Sequence, residues 1–197
     1  MNTILIASAV IFSLASVYFF LNRNKFGSDF PWLVSFITVI SYLVMSMNIN
    51  LGASPSEMLW TRWVGYIISC TILTVSMVEI FNIVGKKKIV ALISTPLVMI
   101  IGVLAAVASN TTFFVIFFVL ATIPFILLIS IFQQQATPKN SYVLNYLYYG
   151  WMAFPIIFLL SPETFSIVPS LSVILIGYLI ADFFTKIVFY FHVRKLQ

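Results

Sequence analysis

One carboxylate and one amine, Asp182 and Lys186, sit four residues apart inside the last apolar run of the chain, Ile167 to Phe191. Apart from tyrosine hydroxyls, that run holds no other ionisable group. On a helix, side chains at i and i+4 share a face, so the two groups meet. Each alone costs about 2.5–3.5 kcal/mol at the centre of a bilayer, and intramembrane ionisable residues mark ion pathways, proton relays or ligand counter-ions. A plain buried salt bridge is the alternative reading.

A second set of polar side chains lies in an earlier apolar stretch. Arg62, Tyr66, Ser69 and Cys70 follow the i, i+3, i+4 rule closely enough to share one helical face. Ser76 and Glu79 lie about 10 and 15 Å further along at 1.5 Å per residue. Arg62 either snorkels outward from one turn inside the boundary or completes a charge cluster with Asp182. Glu79 is either a carboxylate near the headgroups or a proton-handling group. A third set, Trp151, Phe154, Pro155 and Phe158, forms a helical stripe that packs against lipid, core or a flat ligand. Pro155 predicts a kink and a missing backbone donor, as do Pro96 and Pro124 in neighbouring segments.

The elements that must position these residues follow from composition. The chain of 197 residues is 62% hydrophobic and only 8% charged, whereas charged residues approach a quarter of soluble domains. A spanning helix needs about 20 apolar residues. Seven segments qualify: 4–21, 31–50, 58–83, 89–108, 112–132, 142–160 and 167–191. The fold class expected is therefore all-α, a single seven-helix membrane domain over residues 1–197. The first segment lacks a basic region before it and is expected to be a retained helix.

Basic residues orient the bundle. Arg23 and Lys25, the Lys86–Lys88 run, Lys139, and Arg194 with Lys195 fall on one side if seven spans alternate; the loops of the other side hold none. The positive-inside rule then puts the N-terminus outside and the C-terminus in the cytoplasm. The net charge of +5 is thus a topology signal and not a nucleic-acid surface. The one cysteine, Cys70, excludes an internal disulfide, and the absence of an internal repeat weighs against repeat-built transporters.

Together these residues resemble a microbial (type 1) rhodopsin. Asp182-Phe-Phe-Thr-Lys186 is similar to that family's Asp-x-x-x-Lys pattern, Trp151-Met-Ala-Phe-Pro155 to its sixth-helix motif, and Arg62 to its third-helix arginine. Tyr42 falls where the second helix often supplies a tyrosine to the helix-seven aspartate. Within the family, Thr61-Arg62-Trp63, Tyr66, Ser69-Cys70 and the stretch Phe154 to Pro162 most resemble schizorhodopsins and their Antarctic relatives. Gly65 stands where outward pumps carry an aspartate and schizorhodopsins a phenylalanine, and Ser76 stands where schizorhodopsins carry a glutamate.

The resemblance implies all-trans retinal bound covalently to Lys186 as a protonated Schiff base, which matches the ability of a neutral lysine amine to condense with an aldehyde. It makes Asp182 the sole direct counter-ion, held ionised by Arg62. It gives the cofactor pocket to Tyr66, Ser69, Cys70, Trp151, Phe154, Pro155 and Phe158, alongside Lys186 and Asp182. It implies inward proton transport and a homo-oligomer, a trimer in relatives; with Ser76 in the glutamate's place, either Glu79, the nearest acid, assists proton release or transport is slow or absent. The missing side chain at Gly65 predicts room for water beside Lys186. The other readings are a photosensor without net transport, a light-gated channel, and a retinal-free transporter using Asp182 and Lys186 as its site. None is an enzyme.

Overall fold

In a lipid interior every backbone N–H and C=O must be satisfied within the chain, and a helix does this locally. A computed structural model describes residues 2–50, 55–108, 110–162 and 164–196, and its described residues form helices and turns without a strand. In order these are α1 (Asn2–Leu21), a single turn α2 (Arg23–Phe26), α3 (Phe30–Asn50), α4 (Pro55–Ile80), α5 (Gly85–Ala106) and α6 (Thr111–Gln134). The sixth span starts as a 3-10 turn (Ser141–Val143), widens into a π-helix (Tyr146–Trp151) and continues as α7 (Met152–Leu160). The seventh runs through α8 (Leu171–Asp182), a second π segment (Phe183–Val188), α9 (Phe189–Val193) and a closing 3-10 turn (Arg194–Leu196). Seven of these stretches are long and apolar enough to cross a membrane. This is an integral multi-pass membrane protein.

Burial separates the centre of the bundle from its rim. Half of the third span's most apolar window is buried against 17% for the fifth, so α4 is the central helix and α6 faces largely outward. Large side chains such as Leu21, Ile126 and Ile180 stay exposed on the described surface, as a lipid-facing belt requires. The polar groups gather where α3, α4 and the seventh span meet.

Several segment ends differ from expectation, each for a local reason. The third helix stops at Ile80, not 83. Asn82 takes a left-handed φ of 52°, and its N–H bonds to Glu79 O (3.1 Å) while that of Ile83 bonds to Val78 O (2.9 Å), a Schellman-type stop. Gly85, with φ of 62°, makes the next turn, and α5 starts there, which brings Lys86–Lys88 into its first turn. The seventh helix starts at Leu171 because Pro169 disfavours helical backbone in the residue before it. Asn140 ties the sixth span to α4: its side-chain oxygen accepts from Thr137 N (2.6 Å) and its amide donates to Ile80 O (3.3 Å). Pro96 and Pro124 lie within α5 and α6, each of which remains one helix. Residues 51–54 and 109, within loops expected to be free of basic residues, lie outside the described residues, as do residue 163 and the side chain of Lys195.

Candidate functional site

Asp182 is the last residue of α8, and Lys186 lies within the π segment that follows it. The π turn keeps the two on one face: Lys186 Nζ is 2.8 Å from Asp182 Oδ1, and both side chains are almost wholly buried. The other carboxylate oxygen accepts from two tyrosines on separate helices. Tyr42 of α3 donates to Oδ2 at 2.8 Å, and Tyr66 of α4 donates to it at 3.2 Å. Three helical spans thus converge on one carboxylate, and hydrogen bonds to a charged group are the strong ones. Among the described residues Asp182 is the sole buried acid, and its bridge to Lys186 is the sole ion pair.

Arg62 does not clamp the carboxylate, as the sequence led us to expect. It is buried, but its guanidinium carbon lies 3.8 Å over the ring of Tyr178, one helical turn before Asp182. Its Nη2 reaches Met45 Sδ at 3.7 Å, and Nε and Nη1 have no protein partner. The two tyrosine hydroxyls occupy the place beside Asp182 that the arginine was expected to fill. Arg62 therefore adds positive potential from a neighbouring layer, held there by a cation–π contact.

A cavity of about 380 Å³ opens beside this cluster, within the size range of small-molecule sites. Tyr66, Cys70, Trp151, Phe154, Pro155 and Phe158 line it. Lys186 and Asp182 lie behind Tyr66, whose ring centroid is 4.6 Å from Lys186 Nζ. Tyr66 thus touches both the charged pair and the apolar chamber. Ser69 is buried near by, its Oγ without a protein partner, but it does not line the cavity.

Sequence reading missed the far wall, which comes from α5 and α6 through residues such as Met99, Gly102, Phe118 and Phe125, with Trp63 of α4 beside them. Gly102 is the available signal. A Cβ there would stand 2.5 Å from the Trp63 ring, so glycine lets the indole approach α5 closely. A lone glycine in an apolar helix often marks such a close approach. Gly150 plays the same part between the two π segments, where a Cβ would meet Thr185 Cγ2 at 2.6 Å.

One further expectation needs correcting. The space left by Gly65 is not a void beside Lys186. A Cβ at that position would lie 2.7 Å from Ser41 Oγ and 2.9 Å from Ser41 Cβ, so α3 packs into it. In the other half of the bundle Ser76 is buried and pairs with the hydroxyl of Tyr190 at 3.0 Å. Glu79, one turn further along α4, is exposed at the end of the bundle that carries Lys86–Lys88.

Comparison with known proteins agrees with this architecture. A family model described as bacteriorhodopsin-like protein matches residues 1–195. The chain is similar to the crystal structure of schizorhodopsin 4, with a TM-score of 0.88 and 27% identity over 98% of each chain. It shares the fold of a thermophilic rhodopsin from Rubrobacter xylanophilus (TM-score 0.83, 21% identity, 99% of this chain and 95% of that one). It also shares the fold of halorhodopsin, a light-driven chloride pump (TM-score 0.82, 15% identity, 99% and 95%). No curated protein sequence matches the chain.

Proposed function

The chain belongs to the bacteriorhodopsin-like family, and on that footing we propose that it is a light-driven inward proton pump carrying all-trans retinal on Lys186. The observation that carries this reading is the buried Lys186–Asp182 pair at 2.8 Å, set against the ring of Tyr66, which also lines the apolar cavity. The residues fit the cofactor. A buried amine with one carboxylate partner suits a covalent linkage that places a positive charge at Nζ. The apolar lining of the chamber suits a polyene. Bound there, retinal supplies light absorption and photoisomerisation.

The chain's own residues then set the charge balance and the route. Asp182 balances the charge at Lys186 Nζ, and its orientation is fixed by Tyr42 and Tyr66. Its oxygens are already engaged by two hydroxyls and the amine, which makes it a poor acceptor for a proton leaving Nζ. Position 65, where an outward pump would carry a second acid, is a glycine facing Ser41. The easier exit runs toward the end bearing Arg23, Lys86–Lys88 and Arg194, which the positive-inside rule makes cytoplasmic. The N-terminus is then outside.

A light-induced pH change in suspensions of cells expressing the protein tests this. External alkalinisation abolished by a protonophore is the expected result. Acidification would reverse the direction. A coloured protein that moves no protons would be a sensor, and one that forms no visible band with all-trans retinal would be a retinal-free transporter.

A further inference from the structure

Between Lys186 and the basic end of the bundle, a buried hydroxyl pair joins the third span to the seventh. Tyr190 lies four residues beyond Lys186 in α9 and is 1% exposed; Ser76 lies in α4 and is 0% exposed. Their oxygens are 3.0 Å apart. Ser76 Oγ also lies 3.3 Å from the carbonyl oxygen of Ile72, one turn back along its own helix. With the Ser76 hydrogen on that carbonyl, Tyr190 must be the donor to Ser76. The oxygen of Tyr190 then has a lone pair to spare. Beyond the pair, Glu79 stands one turn further along α4.

We propose that the Ser76–Tyr190 pair is the proton relay of this half of the protein, taking a proton from Lys186 Nζ and passing one to Glu79. This deepens the inward-transport reading and rests on it. The backbone rise from Lys186 to Tyr190 is one helical turn, about 6 Å, a span of the order that a single water can bridge. The N–H bond at Nζ breaks as the bridging water takes the proton and gives one of its own to the Tyr190 oxygen. The original Tyr190 O–H bond breaks as its hydrogen moves to Ser76 Oγ. The Ser76 hydrogen turns away from Ile72 O and leaves, through a second water, for the Glu79 carboxylate. Each hydroxyl ends with one hydrogen, so one proton is displaced and nothing else is consumed. The serine's two alternative acceptors make the gate. Held on Ile72 O, it is a dead end; released, the chain conducts.

The test uses retinal-loaded protein carrying Ser76→Ala, Tyr190→Phe or Ser76→Thr, with the wild type. The phenylalanine keeps the ring that packs on Phe19 and Phe189, and threonine keeps the hydroxyl. Flash spectroscopy should show proton loss at Nζ slowed at least about tenfold in Ser76→Ala and Tyr190→Phe, with Ser76→Thr near wild type. The slowing should come with a changed rate ratio between H2O and D2O. Thermal unfolding of the retinal-free single and double variants should show that the two single losses do not add. A wild type that pumps inward while Ser76→Ala and Tyr190→Phe stay within about twofold of it overturns the relay alone. A wild type that transports outward or not at all overturns the inward reading, and the relay with it.

Discussion

Replacing Asp182 by asparagine and Lys186 by methionine, singly and together, separates a working charge pair from two polar groups that happen to lie close. Asp182→Asn keeps the shape of the side chain and leaves Tyr42 and Tyr66 an oxygen to donate to, so it removes little but charge. It strands an amine in a site where it is 1% exposed. Lys186→Met strands the carboxylate in the same way. Removing one partner of a buried pair costs about 3–5 kcal/mol, whereas replacing both by well-packed neutral groups is close to neutral. For a chain of this size 1 kcal/mol moves Tm by about 2–4 °C. Each single variant should therefore melt about 6–20 °C below wild type. The double variant should lie within a few degrees of wild type, a coupling of about 6–10 kcal/mol, the sum of the two single losses. The assay is thermal unfolding of the retinal-free protein in detergent micelles, followed by tryptophan fluorescence, because a bound cofactor would add stability of its own. A double variant that melts lower than either single, with the two losses adding, would refute the account of the site as one coupled pair.

Further substitutions test the surroundings of the pair. Lys186→Ala should give no visible band on addition of all-trans retinal; a coloured, hydroxylamine-bleachable protein would remove the assigned attachment site. Tyr42→Phe should cost more than Tyr66→Phe in thermal stability, within a range of about 1.5–3 kcal/mol for a hydrogen bond to a charged group, since its bond to Asp182 is 2.8 Å against 3.2 Å. Equal losses would show that bond length does not rank them. Gly102→Val drives a side chain into the Trp63 ring and should lower retinal uptake by the purified protein, measured as the amplitude of the visible band; an unchanged amplitude would place the far wall elsewhere.

The spans were legible in the sequence because lipid imposes a length and an apolar composition that can be counted, whatever the neighbours of a segment. The pairing of Asp182 with Lys186 was legible because a helix fixes which residues share a face. Tyr66, Cys70 and the Trp151–Phe158 stripe were accessible through the same periodicity, and the structure brings them to one cavity. Periodicity breaks down where the helix itself changes. The sixth and seventh spans each pass through a π turn, and no local pattern announced either, although the first one directly precedes the helix that contains Pro155.

Contacts between spans follow a different logic. Sequence alone identifies Arg62 as a buried-depth cation, but whether it meets Asp182 or stacks on Tyr178 depends on how far α4 is rotated against α8, and apolar helix faces do not encode that angle. The same holds for Gly65, read as empty space until α3 set Ser41 against it, and for Ser76, whose partner Tyr190 lies 114 positions away. Depth, helical phase and the presence of an acid beside an amine are properties of one segment, so the chain determines them by itself. Which hydroxyl, ring or cation completes each polar group is a property of packed pairs, and only the tertiary structure decides it.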